Sequence, residues 1–471
     1  MSALASSGLP PGPNTAPLLQ LVRWLRRPLP LLDEMARRFG DAFTLRTLAG
    51  PAVVVFSAPA AVRDIFTADP EELSAGEANV VLKSVLGEHS LLLLDGSRHL
   101  RERRLMLPPF HGERMKRYGD LMRDATLRAM GRWPRGDAFP LHPEMQAITL
   151  EVILRAVFGL EQEARLVPMR DALVRWTTMG SSRLGTALLL SVPPERAEGL
   201  RAIADAEIAL GPLRLPIGRL APWAPLMRAK QAVDPLLNAE IAARRAVCAG
   251  RDDVLSMLLE ARDEDGAPMT DAELHDEMLT LLVAGHETSA TTLAWAVHHL
   301  AANPDAMGRA CAELHRVVGR GPLQVEHLPQ LEWLDAVIKE TLRLTPIVPM
   351  VGRRLARPAR IGGHDLPGGE VALACVYLTH RRAELWPDPT RYDPARFVGR
   401  KIDPYHYYPF GGGTRRCLGK AFAEYEIKIV LATILSQLSL RASPGRAVRV
   451  VRRGVTFAPS GGLPVVATAR A

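Results

Sequence analysis

The stretch that decides how this chain folds is Pro409 to Gly419, PFGGGTRRCLG, which runs directly into KAFAEYEIKIVLATIL. Three glycines and two arginines surround Cys417, one of only four cysteines in 471 residues. A lone cysteine is usually a small buried hydrophobe. Here the neighbours argue for more. Gly411, Gly412 and Gly413 open backbone conformations closed to other residues and let a bulky flat group approach the main chain. The apolar run that follows reads as a helix, so Cys417 stands near a helix N-terminus, where free N–H groups favour thiolate over thiol. The stretch predicts a thiolate held on a loop beside something large.

Other chemistries use similar pieces. A phosphate loop ends in Gly-Lys-Ser/Thr, whereas Gly413 is followed by Thr414 and Arg415. A cysteine nucleophile needs a histidine base, which one of the 13 histidines could supply, but neither the glycine run nor the paired arginines has a part in that mechanism. His286-Glu287 begins like the zinc motif His-Glu-x-x-His, but its fifth position is Ala290 and a ligand is lost.

Composition sets the surroundings. At 47% hydrophobic and 23% charged, the chain can bury a large core and is not disordered. Cys248, Cys311, Cys375 and Cys417 are too scattered for a disulfide framework and contain no Cys-x-x-Cys pair, which fits a reducing, cytoplasmic setting. The N-terminal GLPPGP and RWLRRPLP carry no signal-peptide core, and no run of about 18 apolar residues occurs, so a soluble protein without a membrane anchor is expected. The net charge of +8 comes from arginine, since only seven of 59 basic residues are lysine. Spread along the chain, these arginines read first as solvated surface and next as a face for an acidic protein. No zinc finger, aromatic-basic repeat or basic arm points to nucleic acid.

Outward from the cysteine, helical patterns dominate, without repeats or a dividing linker. FTLRTLAGPAVVVFS (43–57) turns at Gly50-Pro51 and predicts a hairpin, as does RIGGHDLPGGEVALACVYL (360–378). The longest helical signal opens at Thr270, where Thr270-x-x-Glu273 forms a capping box, and continues to about Ala302 before Asn303-Pro304 stops it. That is roughly 45 to 50 Å of helix, enough to cross a domain. A single mainly α domain over residues 1–471, with a small β lobe, is the predicted fold.

Phe410-x-x-Gly413-x-Arg415-x-Cys417-x-Gly419 resembles the haem-binding signature of the cytochrome P450 family, in which the cysteine thiolate ligates the iron of haem b. The resemblance extends over nearly the whole chain, from GLPPGP to VTFAPSGGLPV. It implies the family's mainly helical fold and assigns roles residue by residue. Glu340 and Arg343 in LEWLDAVIKETLRLTP match the family's Glu-x-x-Arg, and Arg396 in YDPARF would join them to staple the loop leading to Cys417. Ala395 stands where the family often has an acid. Glu34/Arg37, Glu198/Arg201 and Glu313/Arg316 match the same spacing and read as solvated helix pairs. His99 and Arg103, four apart, resemble the propionate-binding helix, with Arg415 and Arg353 completing the set and Arg354 as the neighbour of the latter.

On the long helix, AGHETSA (284–290) resembles the family's oxygen-activating stretch. By that resemblance Ala284 and Gly285 leave room above the iron, while Glu287 and Thr288 hold water and pass protons to dioxygen. Close helix packing is the other reason for a glycine there. The implied enzyme is a monooxygenase. A peroxide-using haem-thiolate enzyme or a non-enzymatic haem or lipid binder is the competing class, and the acid-alcohol pair favours dioxygen. No flavin or iron–sulfur module is visible, so a separate ferredoxin or flavodoxin is expected, docking on Arg104, Arg416 and Lys420 of a monomer. The expected pocket segments, Ala75 to Val85, 178–190, 212–224, Ile347 to Met350 and Phe457 to Gly461, are largely apolar. The stretch from His99 through RRLMLPPFHGERM resembles bacterial P450s that hydroxylate fatty acids, and the apolar segments would take a long aliphatic chain. Terpenoids, polyketides and drug-like molecules are the alternative substrates.

Overall fold

The computed structural model describes residues 8–48, 50–110, 114–180, 208–210, 213–215, 224–247, 250–445 and 447–470. In chain order the principal helices begin with α1 (Pro17–Arg26), α2 (Pro28–Phe39), α3 (Pro59–Thr67) and α4 (Gly96–Met106). Next come α5 (Arg114–Met130), α6 (Leu141–Ala156), α7 (Glu163–Gly180), α8 (Ala224–Arg245) and α9 (Val254–Glu260). The last are α10 (Asp271–Ala302), α11 (Pro304–Val318), α12 (Glu332–Leu344) and α13 (Lys420–Gln437).

The predicted long helix is α10, 32 residues from a capping box in which the Thr270 hydroxyl accepts from the Glu273 N–H and the Glu273 carboxylate accepts from the Thr270 N–H. Asn303 ends it. Its sequence is apolar on nearly every side, as a helix must be when it runs through a core. Leu274, Met278, Leu282, Leu293 and Leu300 are buried along it, and α6, α8, α12 and α13 pack around it.

The β lobe forms where β-branched runs meet turns. The strands β1 (Ala42–Leu45) and β2 (Val53–Phe56) make the predicted hairpin, Ala42 opposite Phe56. After β3 (Leu73–Ser74), β4 (Ala138–Pro140) and the short hairpin of β5 (Ile208–Leu210) with β6 (Leu213–Leu215) come β7 (Val351–Leu355), β8 (Ala359–Ile361), β9 (His364–Leu366) and β10 (Val371–Ala374). The main sheet runs β1-β2-β10-β7-β3. Here the expected 360–378 hairpin is corrected. Only β8 and β9 pair as a hairpin, across Gly362 and Gly363 with φ of 55° and 82°, the left-handed pair such a two-residue turn demands. Instead, β10 leaves to pair parallel with β2 and antiparallel with β7. The C-terminal strands β11 (Leu438–Ala442) and β14 (Pro464–Ala469) form a sheet with β4, and β12 (Val450–Arg453) pairs with β13 (Thr456–Pro459).

Candidate active site

The cysteine loop is closed by its own backbone. The Cys417 N–H donates to the Phe410 carbonyl at 2.9 Å, and the Gly411 N–H to Tyr408 at 3.0 Å. Gly411 and Gly413 adopt φ of 70° and 63°. The expected reason for the glycines is partly corrected: a Cβ on Gly412 or Gly413 would overlap Phe66 of α3, so these two let the loop lie against that helix. Gly419 differs, since a Cβ there would meet no atom within 4 Å. Phe410 is half-buried against the main core, with the Lys420 ammonium 5.9 Å from its ring centre.

Cys417 lies two residues before the N-cap of α13. The Gly419 N–H hydrogen-bonds its sulfur and Arg103 attracts the thiolate, yet burial outweighs both and pushes the thiol up. Protein crowds the sulfur although the residue is exposed at the loop surface, and a bound metal must displace the proton.

Four cationic or titratable side chains expected around propionates converge beside it. His99 and Arg103 share one face of α4, Arg353 projects from β7, and Arg415 comes from the cysteine loop. Burial, then Arg415 and Arg103, hold His99 down to about 4. Burial and Arg415 lower Arg353 to about 10. Arg353 is buried, whereas Arg354 turns outward to Glu77 at 3.6 Å. Asp95, which the sequence reading missed, is the acid that Arg415 pairs with, and its carboxylate also accepts from Ala75 and Gly76 N–H at 3.0 Å each. A mostly positive, partly buried cluster with one counter-charge fits a planar group bearing two carboxylates.

The staple is assembled as expected. Arg343 forks onto Glu340 at 2.6 and 2.8 Å and donates to the carbonyls of His380 and Pro389 at 2.7 and 2.8 Å. Arg396 approaches the same carboxylate at 3.5 Å and donates to the Asp388 carbonyl at 3.1 Å. Of the competing matches, Glu34 pairs with Arg23 and Arg38, not with Arg37. Glu313 is no solvated pair either: buried, it accepts the Trp333 and Leu334 N–H groups at 2.7 and 2.9 Å at the start of α12. Glu198/Arg201 lies outside the described residues.

On α10, Ala284 is exposed at the middle of an otherwise deeply buried helix, and the Thr288 hydroxyl, one turn on, donates to the Ala284 carbonyl at 2.7 Å. Gly285 departs from its expected role. A Cβ there would meet Ile153 of α6 at 2.8 Å, so the missing side chain serves helix packing. Glu287 also faces α6, and Gln146 donates to its carboxylate. His142 and Arg453 stand 3.9 and 4.0 Å from its other oxygen. Around it, His142 meets Thr291 at 3.0 Å and Thr149 donates to the His286 carbonyl at 2.9 Å. These polar residues at i, i+4 and i+7 on α6 were not singled out from sequence, although their helical spacing is a readable signal.

Of the docking cations, Arg416 is exposed, Lys420 is half-exposed and stands 3.7 Å from Glu424, and Arg104 is engaged by Glu264. The Phe457 N–H donates to the Ile347 carbonyl at 3.0 Å, which joins two expected pocket segments. Residues 181–190, 212 and 216–223 of the other segments lie outside the described residues.

Known proteins resemble this chain over nearly its whole length. The family model for cytochrome P450 matches residues 10–193 and 221–462. A Mycobacterium tuberculosis protein named cytochrome P450 135B1 is 39% identical over 464 residues, 98% of this chain and 92% of its own. Another from that organism, named cytochrome P450 138, is 35% identical over 466 residues, 97% of this chain and 96% of its own. Among solved structures, retinoic-acid-bound cyanobacterial CYP120A1 superposes with a TM-score of 0.82 at 25% identity, covering 99% of this chain and 100% of that one. A cytochrome P450DA haem domain gives 0.82 at 22% identity over 98% of each chain, a likeness of fold. With its loop cysteine, arginine-rich cradle and buried Glu-x-x-Arg pair, this chain belongs to the cytochrome P450 family and is a haem-dependent monooxygenase.

Proposed function

We propose that the enzyme, a single catalytic unit over residues 1–471, inserts one oxygen atom from O2 into a C–H bond of a fatty acid or related lipid. The observation that carries an apolar carboxylic acid as the substrate class is the cyanobacterial relative at 25% identity, described with retinoic acid bound; retinoic acid is itself an isoprenoid, so the choice of a fatty acid rests on the resemblance of the stretch from His99 onward. The apolar segments expected around the pocket suit such a chain, since each buried CH2 contributes about 0.8 kcal/mol.

Bound haem supplies the activation of O2 once reduced. The chain's own residues hold it and manage protons. Cys417 is the iron ligand, and the Gly419 N–H on its sulfur tempers electron donation. His99, Arg103, Arg353 and Arg415 hold the propionates, Phe410 packs beside the loop, and Ala284 keeps the facing helix small. Thr288 holds a proton at its hydroxyl for the oxygen site, and Glu287, steadied by Gln146, His142 and Arg453, resupplies it. Electrons come from a separate ferredoxin or flavodoxin that docks on Arg416 and Lys420.

Two experiments test these assignments. A saturated acid of about twelve to sixteen carbons should shift the haem Soret band and be hydroxylated away from its carboxylate. No binding by any such acid, with tight binding of a terpenoid or macrolide, overturns the substrate reading. Thr288→Ala should leave haem and substrate binding intact but divert NAD(P)H electrons to peroxide, and unchanged coupling removes its proton role.

A further inference from the structure

Asp95 stands at the N-cap of α4, where an aspartate ordinarily accepts N–H groups of its own helix, yet its side chain makes no such bond. It serves a different segment. Its carboxylate accepts the Ala75 and Gly76 N–H groups at 3.0 Å each, the Glu77 N–H at 3.3 Å and the Ser74 hydroxyl. The fold makes room for this contact: a Cβ on Gly76 would fall 2.5 Å from that carboxylate and closer still to the Leu93 carbonyl. The fifth partner is the Arg415 guanidinium.

The charge around this junction is lopsided. The Arg415 Nη1 donates to the Leu91 carbonyl at 3.2 Å, and its Nη2 is taken by the Leu94 carbonyl and Asp95, so at least two of the five guanidinium N–H groups remain for a ligand. Asp95 also acts on His99 and Arg353 of the same cluster. The neighbouring acid Glu77 instead faces Arg354 at the surface. An aspartate that forgoes its own helix and is gripped by one turn is a charge fixed in place. A fixed charge beside a redox centre changes the energy of adding an electron to it.

We propose that Asp95 is a positioning residue that sets the reduction potential of the haem through Arg415. Its negative charge occupies part of the arginine fork and offsets the cations of the cradle, and so disfavours the extra electron of the ferrous state. Both effects carry the same sign. Without that charge, Arg415 gives more of its own to the propionate and the cradle becomes more positive, and each change favours reduction. The proposal rests on reading Arg415 as a propionate partner, which Arg415→Met tests separately by faster haem transfer to an acceptor globin.

The test is an anaerobic redox titration of the substrate-free holoenzyme with dithionite. Asp95→Asn keeps one oxygen for Ala75, Gly76 and Arg415 but removes the charge. It should shift the ferric–ferrous equilibrium about tenfold toward ferrous, a rise of about 59 mV for one electron. Asp95→Ser, neutral and a good N-cap, should move it the same way. Asp95→Glu keeps the charge and should stay within about threefold of the wild type. Glu77→Gln removes an equal charge from the adjacent surface and should leave the equilibrium unchanged. Reduced-CO spectra confirm that each variant keeps its cysteine ligand. A wild-type potential in either neutral variant, a shift toward ferric, or an equal shift in Glu77→Gln overturns the proposal. So does loss of haem from both neutral variants while Asp95→Glu retains it, which makes Asp95 part of the haem's hold and not of its potential. A wild-type transfer rate in Arg415→Met overturns the propionate reading, whereas acceleration there with an unmoved Asp95→Asn overturns this proposal alone.

Discussion

Two arginine clusters flank the cysteine loop, and they are built on opposite principles. Around Glu340, Arg343 is fully buried, yet nearly every donor has an acceptor: both carboxylate oxygens and the carbonyls of His380, Pro389 and Arg391. The Asp393 N–H adds a bond to the carboxylate at 2.8 Å. Around Arg415 hydrogen bonds are made, to the Leu91 and Leu94 carbonyls, but the charges are not balanced. Arg353, also buried, reaches the adjacent Gly352 carbonyl at 2.7 Å and the Phe66 ring at 6.0 Å, and Asp95 is the acid within pairing distance of the set. A satisfied buried charge holds structure together, whereas surplus charge of one sign is a site awaiting a ligand of the other.

The contrast can be broken most forcefully at Arg343. Arg343→Leu removes the bidentate partner of buried Glu340, leaving it only the Asp393 N–H and Arg396 at 3.5 Å, and should cost about 3 to 5 kcal/mol. Urea unfolding would read that loss, and a shift under 1 kcal/mol would mean the cluster is not a staple.

Next in size is the response to acid, because burial holds His142, His299 and His380 near 3, with Arg343 and Arg381 also pressing on His380. These rings stay neutral in the fold but take a proton near 6.5 when unfolded. Their contribution is complete above pH 6.5 and is lost as pH falls toward 3, by about 1 kcal/mol per pH unit for each ring. Melting temperatures between pH 7 and 5 should fall accordingly, and the slope should flatten in His380→Gln.

The surplus cluster should respond differently. Arg353→Met should leave the far-ultraviolet circular dichroism intact but speed haem transfer to an acceptor globin about tenfold, the value of one charged hydrogen bond. Smallest of all, Arg354→Met removes a surface pair with Glu77 and should change stability by less than about 0.5 kcal/mol and haem retention not at all. Equal effects at 353 and 354 would erase the distinction between the clusters.

Much of this was legible before any coordinates, and for a local reason. The capping box of α10, its stop at Asn303, the hairpin of β1 and β2, and the pairing of Glu340 with Arg343 depend on residues a few positions apart, where backbone geometry fixes who meets whom. The signature Phe410 to Gly419 is local in the same sense, and it named the family that the relatives share. Contacts across the fold stayed hidden. Nothing near Arg415 in sequence announces Asp95, which arrives from 320 residues away, nor does Gly412 announce Phe66. Gly285 and Glu287 sit in a motif that reads as oxygen chemistry, and only the packing of α6 turns both toward Ile153 and Gln146. Glu313 reads as a surface pair until α12 presents two unpaired N–H groups to it. Sequence alone determined which residues can form each element and which chemistry the cysteine loop serves. Tertiary structure decided which charges are balanced and which glycines are spaces for neighbours, because those depend on the partner that packing delivers and not on the residue itself.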